Sequence, residues 1–95
     1  MTESEARQIT NKVREDNANS AMEEIIEKSE EKIQDAAEVG SSFVVVEIKI
    51  FMVDEELLKQ RIYSYFKQLG YKIKCSIYNY MGYKYFQITI DWEEQ

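Results

Sequence analysis

Apolar positions recur along this chain first with a helical period and then with a period of two. Thr2 stands three residues before Glu5, a capping-box spacing, and the following residues keep a helical pattern to about Val39, where Gly40 ends it. Ala6, Ile9 and Val13 form one apolar stripe. Met22, Ile26, Ser29, Ile33 and Ala36 form a second, widened by Ile25 and Ala37. The two stripes are out of phase across Glu15 to Ser20, "EDNANS", whose Asp and Asn residues are poor helix formers. The pattern therefore predicts a long or broken N-terminal helix over about 3–39.

The period changes at Ser42. Val44, Val46, Ile48 and Ile50 alternate with Phe43, Val45, Glu47 and Lys49, which predicts a strand over about 42–51. Asp54 caps a helix over 54–69, with Glu55 and Glu56 in its first turn and Leu58, Ile62, Phe66 and Leu69 as its apolar stripe. Two more alternating runs, 71–78 and 83–92, flank Asn79-Tyr80-Met81-Gly82, which supplies turn residues. Pairing Tyr78 with Tyr83 across that four-residue loop sets Cys75 opposite Phe86, Ile73 opposite Ile88 and Tyr71 opposite Ile90. Every apolar side chain then lies on one face.

The predicted fold is α+β: the N-terminal helix, then β-α-β-β with a three-stranded mixed sheet. The crossover makes the first two strands parallel, and the third runs antiparallel between them as in a split β-α-β unit. Helix 54–69 covers the apolar face. Residues 1–40 form an acidic helical segment that serves oligomerisation, and residues 41–95 a compact domain. The chain of 95 residues is one small domain whose core is modest, so an element projecting from it calls for a partner. A homo-oligomer is expected through Ile9, Val13, Met22, Ile26 and Ile33.

Charge sharpens this division. Residues 1–40 hold eleven acids and five bases, whereas residues 41–95 hold seven of each, and 71–90 carries Lys72, Lys74 and Lys84 with no acid. The acidic half argues against duplex DNA as a partner. No apolar run is long enough to span a membrane, the first ten residues are polar and unlike a signal peptide, and the lone Cys75 has no internal disulfide partner, so a reducing cytoplasm is expected.

Catalysis finds little to work with. Histidine is absent, so the chain has no imidazole base or imidazole metal ligand. A single cysteine excludes thiolate zinc clusters, and three glycines compose no phosphate loop. Neither a cofactor nor a metal is implied, and Cys75 falls on the apolar face as a small hydrophobe. The expectation is a non-enzyme.

The opposite sheet face carries Tyr78, Tyr83 and Tyr85 with Lys49, Lys72 and Lys74. Such a face can pack under the N-terminal helix, join a subunit interface, or stack a base while lysines hold a phosphate. Those six residues are the ligand-binding candidates. The acidic run Glu23, Glu24, Glu27, Glu30, Glu31 and Asp35 is either a solvated helix face or a mimic of nucleic-acid phosphates.

"SEARQIT", "EEKIQDAAEVG", "LLKQRIYSYFKQLGYKIK" and "YFQITIDW" together resemble a family of small bacteriophage accessory proteins. The resemblance covers most of the chain and rests on helix ends and strand cores. Asp91 stands where the family pattern has serine before Trp92. The resemblance carries no catalytic residue. It implies expression in a bacterial host's cytoplasm and a role against host defence, by sequestering a nucleotide immune signal as a homo-oligomer. Inhibition of a host protein by the acidic helix, or a structural role in assembly, are the other roles open to such a chain.

Overall fold

A computed structural model describes residues 1–93 of the chain. The first helix, α1, runs unbroken from Glu3 to Glu38. The Thr2 hydroxyl accepts the Glu5 N–H at 3.1 Å, as the capping box predicts. At the far end Gly40 adopts φ 84°, and the Ser41 N–H returns to the Ala36 carbonyl at 2.9 Å. Strand β1 (Phe43–Ile50) leads to α2 (Glu55–Gln68), capped by the Asp54 side chain on the Leu57 N–H at 3.1 Å. Strands β2 (Lys72–Tyr80) and β3 (Tyr83–Asp91) form the C-terminal hairpin.

The sheet order is β1-β3-β2, so β3 is central and both its pairings are antiparallel. The sheet is therefore not mixed: β1 and β2 run the same way, but β3 separates them. The hairpin register differs from the predicted one by two residues. Tyr80 pairs with Tyr83, Ile77 with Phe86, Cys75 with Ile88 and Ile73 with Ile90. The connection is the two-residue turn Met81-Gly82, with φ of 50° and 79°. Two left-handed residues match the right-handed twist of the flanking strands, which a four-residue loop here would not. Since the shift is an even number, each side chain keeps its predicted face.

Both helices lie on that apolar face. Val44, Val46, Ile48, Ile50, Phe86, Ile88 and Ile90 from the sheet are buried with Leu58, Ile62 and Phe66 of α2 and with Ala18, Ala21 and Ile25 of α1. The prediction that α2 alone covers the sheet is thus corrected: α2 packs toward β2 and α1 toward β1. Alanines at 18 and 21 let α1 approach closely. The stripe that α1 buries is centred on Ala18, Ala21, Ile25 and Ser29; Ile25 and Ser29 were in the predicted stripe, Ala18 and Ala21 were not, and Met22, Ile33 and Ala36 lie at its margin. The Ser29 hydroxyl is buried there without a protein partner.

Polar contacts fix the helix in place. The Asp54 N–H donates to the Arg14 carbonyl at 3.1 Å, and the Asn17 side-chain amide donates to the Met52 carbonyl at 2.9 Å. Arg61 of α2 bonds Asn19 and approaches Glu15, while Lys32 donates to the Val45 carbonyl on edge strand β1 at 3.2 Å. N-terminal to these ties every residue of α1 from Glu3 to Arg14 is exposed. The molecule measures 56 × 32 × 20 Å, its long dimension close to the ~54 Å that 36 helical residues span.

Candidate functional site

With both helices on one side, the opposite face of the sheet, odd-numbered on β1 and β3 and even-numbered on β2, has no cover. Of the three uses predicted for the tyrosine face, packing under the N-terminal helix is excluded by this arrangement. The strand register lays out what remains. Lys49, Tyr85 and Tyr78 form one row across β1, β3 and β2. Next come Glu47, Gln87 and Ser76, then Val45, Thr89 and Lys74, and last Phe43, Asp91 and Lys72. Tyr80 and Tyr83 lie beyond the first row, beside the hairpin turn.

The tyrosine end is internally ordered. The rings of Tyr78 and Tyr85 stack, with centroids 5.4 Å apart and planes 20° from parallel. Their cross-strand pairing brings the Cβ atoms into the range where aromatic pairs contribute. The Lys49 ammonium sits 4.1 Å from the centroid of the Tyr83 ring, a cation held over a negative ring face. Tyr83 stays 56% exposed, so one edge of this arrangement faces solvent.

Lys49 and Tyr83 also belong to an open cleft of about 700 Å³ at the same end of the sheet. Its other walls are Phe51 and Met52 of the β1–α2 connection, Arg14 from α1, and Lys84 with Glu55. That volume lies within the range of small-molecule sites. Three cations and one carboxylate line it, and Lys84 bonds Glu55 at 2.8 Å. Among the described residues no carboxylate forms an ion pair with Arg14 or Lys49. The cleft therefore favours an anion, and its rings favour one carrying a planar group.

The six ligand-binding candidates divide accordingly. Lys49 and Tyr83 meet at the cleft, and Tyr78 and Tyr85 stack beside it. Lys74 lies four residues along β2 from Tyr78, roughly 13 Å, and Lys72 roughly 20 Å. Those two lysines face the same way as the rings but do not converge with them. Arg14 and Lys84 were missed. Lys84 carried a signal, being the one charged residue at the parity of Phe86, Ile88 and Ile90. Arg14 carried none, because its place depends on α1 lying along β1. Of the oligomer candidates, Ile9 and Val13 are exposed, Ile26 is half-buried, and Met22 and Ile33 pack against the chain's own core.

Cys75 packs half-buried against the core, where loss of solvent pushes its thiol pKa up and Lys59 partly opposes the shift. No group of three acidic or thiol side chains among the described residues converges as a metal ion would require, and no helix there is long and apolar enough to cross a membrane. The chain matches no known protein family, no curated protein and no solved structure.

Proposed function

We propose that this protein is a non-catalytic binding module for a nucleotide-class anion, which it holds at the cleft end of its open sheet face. The observation that supports the reading is Lys49 poised over the ring of Tyr83 beside a cleft of about 700 Å³, at the end of the sheet where the uncovered face meets Arg14 of α1 and Glu55 of α2. A base stacks on the Tyr83 and Tyr85 side, and phosphate oxygens meet Lys49 and Arg14. In the setting implied by the resemblance to phage accessory proteins, such binding withdraws a nucleotide immune signal from the host.

Thermal unfolding against a panel of cyclic and linear nucleotides tests this. A ligand at ten times its Kd stabilises by about 1.4 kcal/mol, which raises the melting temperature by roughly 5–10 °C in a domain of this size. Lys49→Ala and Tyr83→Ala abolish the response, whereas Lys72→Ala and Lys74→Ala leave most of it. No response across the panel ends the proposal. A response that survives Lys49→Ala but is lost on charge reversal at Glu23, Glu27 and Glu30 replaces it with one centred on the acidic face of α1.

A further inference from the structure

We infer that the first turns of α1 form an antiparallel contact with a second copy of this chain. Ala6, Ile9 and Val13 make an apolar stripe whose two large side chains are about half exposed, Ile9 at 52% and Val13 at 49%. At about 100° per residue, this stripe is turned by roughly 140° from the stripe of Ala18, Ala21, Ile25 and Ser29 that faces the core. The helix is continuous between the two, and Asn17, Asn19 and Arg14 tie it to the body. The stripe therefore points away from every other element of its own chain, and only another molecule covers it.

Charge selects the occupant and its direction. Glu5 and Lys12, seven residues apart, lie on the same flank of the stripe. When two such helices cross antiparallel about a two-fold axis, Glu5 of each faces Lys12 of the second copy. In a parallel pair the two-fold axis carries each flank to the opposite side of the contact, so Glu5 and Lys12 do not meet. Residues 1–16 carry four acids against three bases, so the segment offers an anionic lipid surface no net side-chain attraction. The contact is small against the ~800 Å² per partner of a standard interface, so the association is weak and concentration-dependent.

Sedimentation velocity of the full chain over a wide concentration range tests the inference, with circular dichroism confirming helix content for each variant. The wild type shows a reversible monomer–dimer equilibrium, and Ile9→Glu with Val13→Glu is monomeric throughout. Glu5→Lys and Lys12→Glu each weaken dimerisation about tenfold, since the lost pair occurs twice by symmetry. The two exchanges combined restore it. A wild type that is monomeric at its highest concentration overturns the inference, as does a double exchange that fails to recover. The nucleotide response, measured on the Ile9→Glu/Val13→Glu variant, is retained, so the cleft and the contact stand or fall separately.

Discussion

Met81 occupies a backbone conformation, φ 50°, that a side chain with a Cβ adopts at a cost of about 1 kcal/mol. Gly82 follows it at φ 79°, completing the hairpin turn. Met81→Asn relieves part of that strain, because Asn tolerates the left-handed region. The variant gains about 0.5–1 kcal/mol in urea denaturation with an unchanged m-value. A loss of stability would mean that the Met81 side chain, exposed here, makes a contact worth more than the strain. The same residue explains why the register was not legible: methionine is no turn signal, so the sequence reads as a longer loop, whereas the alternation on either side fixed the buried face. Cys75 supplies a second test. Its thiol pKa is raised by burial, so as pH rises above the ordinary value of 9.0 the unfolded chain loses its proton first. The native advantage is therefore complete below pH 9 and lost through the folded pKa above it. Melting temperature falls more steeply above pH 9 in the wild type than in Cys75→Val, although Tyr65, whose raised pKa acts in the same direction, leaves part of the slope in both.

At the scale of elements, α1 serves two surfaces in succession. Its central residues belong to the core, and its first turns belong to none of the chain's own layers. Ile25 is 1% exposed, and Ile25→Ala leaves a cavity that costs about 3 kcal/mol. Deleting residues 1–10, all exposed, changes unfolding free energy by under about 1 kcal/mol because no buried contact is lost. Urea melts of the two variants check the contrast, and a deletion as damaging as Ile25→Ala would refute the division. The phase change across Glu15–Ser20 was legible in the sequence. Its meaning was not: out-of-phase stripes describe a broken helix and a straight helix that changes partner equally well. Ala18, inside that polar stretch, settles the matter in space, because it is 1% exposed within the core. Single alanines carry too little apolar weight to mark a buried face, which also explains why the predicted stripe held Ile25 and Ser29 but took Met22 and Ile26 in place of Ala18 and Ala21. By contrast α2, with Leu58, Ile62 and Phe66 at regular spacing under one cap, was legible except at its end, where Leu69, expected in the same stripe, caps the helix and is 59% exposed.

For the whole molecule, the consequence of stacking both helices on one side is a separation of charge. The acids of α1 between Glu23 and Glu38 are all exposed on the helical layer, while Lys49, Arg14 and Tyr83 line the cleft. Along α1, Glu27 and Glu31 lie 13 and 17 residues from Arg14 at the cleft, roughly 20–25 Å at ~1.5 Å per residue, and they act on a bound anion from a distance of that order. At about 0.15 M salt the Debye length is ~8 Å and their repulsion is screened, but at about 0.01 M it is ~30 Å and the repulsion reaches the cleft. Two charges at roughly 20 Å in a dielectric near 80 contribute about 0.4 kcal/mol, a twofold change in affinity. Glu27→Gln with Glu31→Gln therefore tightens nucleotide binding about twofold at low salt and leaves it unchanged at physiological salt. Lys49→Ala weakens binding at both, because its contact is direct. Fluorescence titration of the responding nucleotide at the two ionic strengths measures this. If the double glutamine variant changed affinity severalfold at physiological salt, the anion would lie within a few ångströms of α1's acidic face, and the cleft at the end of the sheet would not be its site.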